Sequence, residues 1–326
     1  MQNILIIIDD IEFKYFEFNQ LVTNFWFVHE FCLRGYNVFI SLKSKLFLKN
    51  NLPFALCYKT KIQEEDIIKN DVADEICLND FQLIFFRPDP PLDNDYINAS
   101  HVLSYVNEKS TLIMNSPRAI REKNEKIYVN EFPSLAPENV VSADEKIIKQ
   151  FLFDKKEIII KPTNLCFGSG VFYLNDKDKN INSILKTATN NFKTHVMVQE
   201  FLPEIKNGDK RLIYVCGKIF KYCVSKVATN DDFKFNEHNS STLKFATLTP
   251  EEEKIEAIVK DKFEHDGIYL AGLDVIDGKV IEINITSPCF FIKEINEIFK
   301  INFEKMIIER IETYAKAKLE ANFALC

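Results

Sequence analysis

A β-hairpin is predicted by the segment Gly272-Leu273-Asp274-Val275-Ile276-Asp277-Gly278-Lys279-Val280-Ile281-Glu282-Ile283-Asn284-Ile285-Thr286-Ser287-Pro288. Two runs rich in β-branched residues flank an Asp-Gly turn, which is a strong hairpin signal. Glu282 and Asn284 lie two apart on one strand, so their side chains point to the same face. Asp274 joins that face only if the connecting loop holds an odd number of residues, because a two-residue turn would send it to the other side.

A face of this kind suits a divalent cation. With an odd loop, two carboxylates and an amide converge, and Mg²⁺ bound to substrate phosphates prefers a few hard oxygen donors together with water. A solvated strand face is the ordinary alternative for acids on a hairpin. The matched phase of Glu282 and Asn284, followed by Thr286-Ser287-Pro288, favours a nucleotide-associated metal site.

Size and composition narrow the class of protein. The chain has 326 residues, enough for two or three packed units, and its 46% hydrophobic and 27% charged residues are typical of a soluble globular protein. A net charge of -7 argues against a general nucleic-acid binder.

The apolar run at residues 4–8 is too short to cross a bilayer and has no basic leader, so we expect a buried first strand and no membrane partner. The 8 cysteines show no metal spacing, and we expect reduced thiols in a cytoplasmic protein.

The first third of the chain alternates strand and helix patterns. Strands are predicted at residues 4–8, 37–41, 81–86 and 111–114, and helices at 20–34 and 96–108. Such alternation argues for an open, mostly parallel sheet covered by helices.

Near residue 122 the pattern changes to a small α/β unit with antiparallel character. Its predicted strands are residues 157–161, 171–174 and 195–200, with a helix at 181–190. The remainder predicts strands at 211–215 and 218–227, a polar loop at 228–242, a helix at 250–265, the hairpin and a closing helix near 303–319.

Several candidate site residues follow strand ends. Lys161 can neutralise phosphate as a point charge, although taken alone it fits an ordinary strand-end lysine. Gly168-Ser169-Gly170 can cradle phosphates through backbone N–H groups, but it also fits a plain turn. Arg211 can bind a carboxylate or a developing oxyanion through its fork, or else lie in a solvated turn. The 5 histidines lie in separate elements and support no catalytic triad.

Seven segments match a known family. They are Arg87-Pro88-Asp89-Pro90-Pro91, Asn115-Ser116-Pro117-Arg118, Asn124-Glu125-Lys126, Ile159-Ile160-Lys161-Pro162, residues 202–211, Gly272-Leu273-Asp274 and residues 282–288. On these segments the chain resembles the bacterial glutathione synthetases, a family of ATP-grasp ligases, over nearly its whole length. The last three are specific in their order and spacing, and the proline-rich segment separates this family from other ATP-grasp enzymes.

The resemblance implies an α/β protein with an ATP-grasp fold that follows an open, mostly parallel α/β (pre-ATP-grasp) domain. We expect a substrate-binding domain at residues 1–122, a central lid domain at 123–202 and a catalytic domain with the metal site at 203–326. ATP would bind as co-substrate between the last two, and Mg²⁺ or Mn²⁺ would be held by Asp274, Glu282 and Asn284.

The resemblance also implies further site residues. Those expected to bind ATP are Lys126, Lys161, Gly168, Ser169, Gly170, Gln199, Glu200, Phe201, Leu202 and Asp209. Those expected to bind the other substrates are Arg87, Asp89, Lys226, Lys234, Asn236, Ser287, Pro288 and Lys293. Arg211 is expected to be catalytic, stabilising a tetrahedral oxyanion.

In the implied reaction, the cysteinyl carboxylate of γ-glutamylcysteine takes the γ-phosphoryl group of ATP, and the amine of glycine attacks the acyl phosphate. Positioning and charge neutralisation supply the catalysis, as in other phosphoryl transfers. The expected partners are these small molecules, without nucleic acid or membrane, and other copies of the chain in a homo-oligomer, a tetramer by family analogy.

Three segments depart from the family pattern. Residues 163–170 replace a glycine-rich phosphate loop, and the mobile loop at 234–241 lacks the family's paired glycines. Lys226 and Lys234 stand where the family has arginines, an exchange that is not conservative at a bidentate site. Residues 289–293 carry bulky aromatics and one extra residue, with Lys293 near a family arginine. Two alternatives therefore stay open: an ATP-grasp ligase joining a different acid and amine, and a nucleotide-binding protein that has lost catalysis.

Overall fold

The computed structural model describes residues 2–64, 66–165, 168–228 and 241–324. Within these ranges the chain forms three β-sheets, each from a separate part of the sequence. No helix in the described part of the chain combines the length and the apolar character that a bilayer crossing requires.

The first sheet carries the predicted parallel core. Its strands are β1 (Asn3–Ile8), β2 (Asn37–Leu42), β3 (Leu46–Lys49), β4 (Leu52–Gln63), β5 (Asp66–Lys69), β6 (Asp74–Cys77), β7 (Leu83–Phe86) and β8 (Leu112–Met114). The order is β3-β4-β2-β1-β7-β8, with β5 and β6 also paired to β4. Strands β2, β1, β7 and β8 are parallel, which confirms the open sheet predicted from the alternating pattern.

Helices cover both faces of this sheet. They are α1 (Asp10–Tyr15), α2 (Thr23–Leu33), α3 (Asn94–Leu103) and α4 (Pro117–Glu122). Because side chains alternate along a strand, Ile4 and Ile6 pack in a core with α2, whereas Leu5 and Ile7 pack in another with α3. The antiparallel extension formed by β3 to β6 was not predicted. Its strands β3, β5 and β6 have 4 residues each, which is too short for a clear periodic signal, and β4 was overlooked despite its 12 residues.

The second sheet is antiparallel throughout, as the sequence indicated. It contains β9 (Asn139–Ser142), β10 (Glu157–Pro162), β11 (Phe172–Asn175) and β12 (Val196–Glu200) in the order β11-β10-β12-β9. Helices α5 (Glu145–Lys155) and α6 (Ile181–Ala188) pack on the face that holds Ile158 and Ile160. The alternate residues Ile159 and Lys161 therefore point away from the helices, toward the third sheet.

The third sheet holds the hairpin. Its strands are β13 (Asp209–Val215), β14 (Lys218–Ile219), β15 (Tyr222–Ala228), β16 (Ser241–Thr247), β17 (Leu270–Ile276) and β18 (Lys279–Asn284), in the order β16-β15-β13-β17-β18 with β14 paired to β13. Helices α7 (Glu253–Asp266), α8 (Ile292–Phe299) and α9 (Phe303–Ala324) complete the chain.

Two predictions in this region were wrong at their boundaries. The strand predicted at residues 218–227 is divided into β14 and β15 by a turn at Phe220 and Lys221. Of the polar loop predicted at 228–242, Ala228 belongs to β15, and Ser241 and Thr242 belong to β16. Residues 229–240 lie outside the described part of the chain. The polar sequence at these strand ends shows no apolar periodicity, so the ends were not recognised. β16 is identified by its backbone pairing with β15.

Candidate active site

The hairpin of β17 and β18 brings Asp274, Glu282 and Asn284 to one face, but not by the predicted means. Its turn holds only Asp277 and Gly278, both with positive φ (45° and 76°), as a tight two-residue hairpin turn requires. The expectation of an odd loop was therefore wrong. In a regular ladder this even turn would put Glu282 on the face opposite Asp274.

A β-bulge restores the phase. The register shifts between Asp274 and Val275, so that Val275 lies opposite Val280 whereas Asp274 lies opposite Glu282. Ile281 is thus an extra residue on β18, and such an insertion bends a strand and re-aims its side chains. Val280 remains in the core while Glu282 faces the cavity.

The bulge also joins two sheets. The main-chain oxygen of Ile281 accepts hydrogen bonds from Lys161 Nζ at 3.3 Å and from Gln199 Nε2 at 3.2 Å. Both donors come from the cavity-facing side of the second sheet. The distortion that aligns the acidic face therefore also anchors the lysine that was predicted to contact phosphate.

Two further strands, β13 and β15, extend the charged face. On β13, Asp209 and Arg211 lie two apart, opposite Lys226 of β15 and Asp274 of β17 respectively. Directly opposite residues in an antiparallel pair share a face, so these side chains line up beside Glu282. Two residues before Asp274, Gly272 has no side chain, and a Cβ there would lie 2.8 Å from Arg211 Cδ. That glycine lets the arginine lie flat across β17.

Asp274 is the most heavily paired group of this face. Arg211 donates from Nε to Oδ1 at 2.6 Å and from its second terminal nitrogen to Oδ2 at 3.0 Å. Lys226 Nζ lies 3.4 Å from Oδ1, and Asn284 Nδ2 donates to Oδ2 at 3.2 Å. Burial by itself would raise the pKa of the Asp274 carboxyl, but the two cations outweigh it and hold that pKa well below its usual range.

Two lysines border Glu282 from the side of the second sheet. Lys126 Nζ lies 3.3 Å from Glu282 Oε1 and donates to the main-chain oxygen of Leu165 at 2.6 Å. Lys161 is buried, and its pKa is lowered by burial and by the nearby Lys126 charge, while Glu282 acts in the opposite sense. Two neighbouring buried ammonium groups gain stability from an anion between them, which is the charge that ATP phosphates carry.

The donor set of the hairpin face fits a small divalent cation. Asp274 and Glu282 supply carboxylates, and Asn284 uses its Nδ2 for both of its hydrogen bonds, which leaves the amide oxygen as the ligand atom. Among the described residues no three His, Cys, Asp or Glu side chains gather as a closed metal cage. A cation here would therefore take part of its coordination from substrate phosphates and water, as Mg²⁺ commonly does.

One cavity of about 610 Å³ collects most of the predicted site residues from all three sheets. Those that line it are Arg87, Asp89, Lys126, Lys161, Gly168, Ser169, Gln199, Glu200, Phe201, Leu202, Asp209, Arg211, Lys226, Asp274, Glu282, Asn284, Ser287 and Pro288. Gly170 lies beside the lining in the same turn as Ser169, and Lys293 lies on α8 away from the lining. Lys234 and Asn236 lie outside the described residues.

The structure adds cavity residues to which the sequence assigned no role. Glu125 is half-buried and accepts from the main-chain nitrogens of Ile285 and Thr286 at 2.7 and 2.9 Å and from Thr286 Oγ1 at 2.8 Å. It fixes the loop that follows the hairpin. The only sequence signal was its place in the matched segment 124–126. Glu12 and Asn24 also line the cavity, from helices where an isolated polar residue carries no positional information.

Solved structures with this arrangement define the class. D-cycloserine synthetase DcsG superposes with a TM-score of 0.66 at 14% identity, covering 98% of this chain and 99% of its own. The ATP-grasp ligase PsnB, in its complex with minimal precursor, Mg and ADP, gives 0.60 at 13%, with 96% and 98% covered. D-alanyl-alanine synthetase A from Vibrio cholerae gives 0.59 at 13%, with 98% and 99% covered. The fold is that of the ATP-grasp ligases.

Sequence comparison places the chain within that class. The family model for the prokaryotic glutathione synthetase N-terminal domain matches residues 3–121, and the model for its ATP-grasp domain matches 125–300. Glutathione synthetase from a Nostoc species is 36% identical over 72% of each chain, and that from Synechococcus elongatus is 32% identical over 86% of this chain and 90% of its own. The chain belongs to the prokaryotic glutathione synthetase family and is an ATP-dependent carbon–nitrogen ligase.

Proposed function

We propose that this cavity joins the cysteinyl carboxyl of γ-glutamylcysteine to the amine of glycine, with ATP converted to ADP and phosphate and glutathione as the product. Membership of the glutathione synthetase family supports the reaction. The observation that carries the proposal is the bulged hairpin. It aligns Asp274, Glu282 and Asn284 on one wall of a cavity that also holds Arg211 and two buried lysines.

ATP would lie between the second and third sheets. Lys126 and Lys161 would neutralise its phosphates, with main-chain N–H groups near Gly168 and Ser169 beside them. The adenine would occupy the apolar end of the cavity near Ile159 and Phe201. The residues at and just after the end of β12 that line this part of the cavity are Gln199, Glu200, Phe201 and Leu202. Asp209, at the start of β13, lines the same cavity.

Asp274, Glu282 and Asn284 would hold Mg²⁺ or Mn²⁺ against the phosphates. Such a cation neutralises charge on the transferring phosphoryl group and orients it toward the acceptor. Two of the three side chains are carboxylates, and they pair with Arg211 at 2.6 Å and with Lys126 at 3.3 Å. Asp274 would exchange part of its pairing with Arg211 for the cation.

Arg211 would stabilise the oxyanion. Its guanidinium lies between Asp274 and the loop after β18, where it donates to the main-chain oxygen of Cys289 at 3.3 Å. Attack of an amine on the acyl phosphate creates a negative oxygen, and a fixed cation in a buried site stabilises that charge without reorganisation. No protein nucleophile is needed, because the carboxylate and the amine are both supplied by substrates.

The acid substrate would enter from the side of the first sheet. Arg87 and Asp89 follow β7, and Ser287 and Pro288 face them from the loop after the hairpin. Lys226 would supply further positive charge near the carboxyl, and Lys234, Asn236 and Lys293 remain assigned to substrate from the sequence pattern alone. The three-unit division at residues 1–122, 123–202 and 203–326 is likewise our proposal, with one sheet in each unit. A homotetramer and a cytoplasmic location stay predictions of the family resemblance.

The direct test is ADP release with MgATP, γ-glutamylcysteine and glycine, each omitted in turn, with the product identified by mass. ADP formation that needs all three and yields glutathione is the expected result. ADP formation only with another acid and amine would replace this reaction with a different ATP-grasp ligation. ATP binding without turnover of any pair would support a catalytically inactive nucleotide-binding protein.

A further inference from the structure

A buried polar cluster of Glu12, Asn24 and Arg87 lines the cavity from the side of the first sheet. Glu12 comes from α1, Asn24 from the first turn of α2, and Arg87 from the segment after β7. All three side chains are at least nine-tenths buried, with exposed fractions of 7%, 2% and 2%, and all three line the cavity.

The cluster is a continuous hydrogen-bonded chain. Asn24 Nδ2 donates to Glu12 Oε1 at 2.9 Å and to Oε2 at 3.0 Å, and Asn24 Oδ1 accepts a hydrogen bond from Arg87 Nε. The asparagine therefore holds the carboxyl and the guanidinium at a fixed separation. The two charged groups make no direct ion pair in the described part of the chain, although they lie in one small buried space.

Arg87 is fixed but incompletely satisfied. One terminal nitrogen donates to the main-chain oxygen of Pro288 at 2.9 Å, and Cζ lies 5.6 Å and 5.8 Å from the ring centroids of Phe27 and Phe290. The other terminal nitrogen is buried and finds no hydrogen-bond partner among the described residues. An unpaired guanidinium N–H in a buried site is unfavourable, so it marks the position of an absent acceptor.

Arg87 requires a further acceptor, whereas Glu12 lies among negative charges and requires a cation. Asp9 and Asp89 add negative charge around Glu12, and Arg87 supplies the cation among the charged groups that act on it. Burial, with Asp89 and Asp9 in support, raises the pKa of the Glu12 carboxyl to about 8 against the influence of Asn24 and Arg87. A carboxyl held in this way gains stability from a cation.

We propose that Glu12 and Arg87 form a subsite for the α-amino acid group of the acid substrate, with its ammonium at Glu12 and its carboxylate at the unpaired terminal nitrogen of Arg87. This inference rests on the proposed function, because γ-glutamylcysteine carries such a zwitterionic group at the end remote from its reacting carboxyl. A zwitterion supplies a cation to the Glu12 carboxyl and an acceptor to the unpaired nitrogen of Arg87, and it adds no net charge to the buried site. Binding at this remote end positions the reacting carboxyl toward the hairpin face.

The test compares γ-glutamylcysteine with glutaryl-cysteine, which lacks only the α-amine. Calorimetric titration of the full chain should show about a tenfold to hundredfold weaker Kd for glutaryl-cysteine, as for loss of a charge-assisted hydrogen bond. In Glu12→Gln the two ligands should bind with nearly equal Kd. Glu17→Gln is the matched control, since Glu17 lies just beyond α1, pairs with Lys69 and does not line the cavity. Glu17→Gln should show the same difference in Kd between γ-glutamylcysteine and glutaryl-cysteine as the wild type.

The carboxylate half of the subsite has its own test. The probe 4-aminobutanoyl-cysteine keeps an amine but lacks the α-carboxylate, and it should bind the wild type weakly. In Arg87→Lys the intact substrate should lose affinity while this probe loses little, so that the two Kd values converge. Near-ultraviolet circular dichroism of each variant verifies the fold, and the ratio of two ligands on the same variant is insensitive to a general loss of active protein.

The outcomes separate the subsite from the reaction. Glutathione formation together with an equal effect of amine removal in wild type and Glu12→Gln would overturn the subsite and leave the proposed function standing. Amine-dependent binding abolished in Glu12→Gln, without glutathione formation, would support the subsite and overturn the reaction. Failure of γ-glutamylcysteine to bind the wild type at all would overturn both.

Discussion

At the scale of single residues, the site is governed by how buried charges are paired. Asp274 is compensated by Arg211, Lys226 and Asn284, and it stays ionised despite burial. Glu12 is also buried, but its nearest partner is an amide, and its pKa rises to about 8. The same side-chain chemistry thus gives a permanent carboxylate at Asp274 and, at Glu12, a carboxyl that gains stability from a cation.

Glu282→Gln tests the cation-binding face. The substitution keeps the size of the side chain but removes one of the two carboxylates and the ion pair with Lys126. We expect metal-dependent turnover to fall by about a hundredfold or more, because a neutral amide is a poor ligand for a hard cation. The measurement is the rate of ADP release as MgCl₂ is varied.

Glu253→Gln is the control for that variant, since Glu253 is an exposed acid at the start of α7. It should leave the rate and the metal dependence unchanged. A Glu282→Gln enzyme with the wild-type rate and an intact fold would contradict the assignment of the metal ligands.

Glu12 also predicts how stability depends on pH. Its pKa is raised to about 8 in the folded protein from an ordinary value of 4.5, so the folded state keeps a proton that the unfolded state releases between these values. The free energy of unfolding should therefore lose a contribution as pH rises from about 5 to about 8. Glu12→Gln cannot titrate and should show a smaller loss over the same range.

Urea denaturation of both proteins at pH 5 and pH 8 measures this difference. Groups that titrate in the same way in both proteins cancel in the comparison. Parallel pH dependence in the two proteins would show that Glu12 is already ionised in the folded state.

At the scale of elements, the bulge at Ile281 is the decisive feature. The hairpin turn has two residues, and the inserted Ile281 brings Glu282 back opposite Asp274. The strand still buries Val280 and Ile283 in the core, three residues apart instead of two. Within a single strand, the bulge thereby allows core packing, aligns the proposed metal ligands on one face and provides the acceptor for the hydrogen bonds of the second sheet.

Deletion of Ile281 separates the alignment of Glu282 with Asp274 from the hydrogen bonds that the Ile281 carbonyl accepts. A regular two-residue hairpin would then place Glu282 directly after Val280, still opposite Asp274, so the acidic face should survive. The acceptor shared by Lys161 and Gln199 would be lost, and we expect the KM for ATP to rise about tenfold while the fold is retained. Steady-state kinetics with varied ATP measures the change.

Ile281→Val is the matched control for the deletion, because it keeps the main-chain oxygen and a β-branched side chain. Its KM for ATP should stay near the wild-type value. If the deletion variant folds and binds ATP as well as the wild type, the Ile281 carbonyl does not position the second sheet.

At the scale of the whole molecule, the first and third sheets share a hydrophobic core, and Asn115 adds a buried polar link between them. Ile6 of β1, Ile213 of β13 and Ile308 of α9 belong to the same hydrophobic cluster. Asn115, just after β8, accepts from the main-chain nitrogens of Tyr269 and Leu270 at 2.7 and 2.8 Å. It donates to the main-chain oxygens of Leu270 and Ile285, both at 2.7 Å. The end of the parallel sheet is thereby fixed to the start of β17 and to the loop after the hairpin.

Asn115→Ala should strongly destabilise the protein. The substitution leaves buried main-chain groups of β17 without partners, and we expect the free energy of unfolding to fall by about 2–5 kcal/mol. Urea denaturation followed by fluorescence and by far-ultraviolet circular dichroism measures it. Asn98→Ala, on the exposed face of α3, should change stability little. A small effect at Asn115 would mean that the shared core alone joins the two sheets.

The sequence by itself determined the local elements and the chemistry of the site. Alternating patterns fixed the parallel strands, the Asp-Gly turn fixed the hairpin, and the matched segments identified the family and the residues that line the cavity. These signals are local, since turn chemistry, strand alternation and short motifs depend on neighbours along the chain.

Only the tertiary structure decided the register of the hairpin and the polar cluster of Glu12, Asn24 and Arg87. The bulge allows Val280 to stay buried in the core while Glu282 lies opposite Asp274. The sequence of one strand does not show which residues of the other strand will lie opposite it. Glu12 and Arg87 lie far apart in sequence. Folding brings them together and removes water from both, and this burial shifts the pKa of each group. Burial and cross-strand pairing are properties of the assembled fold, which is why local pattern gave the ligands but not their alignment.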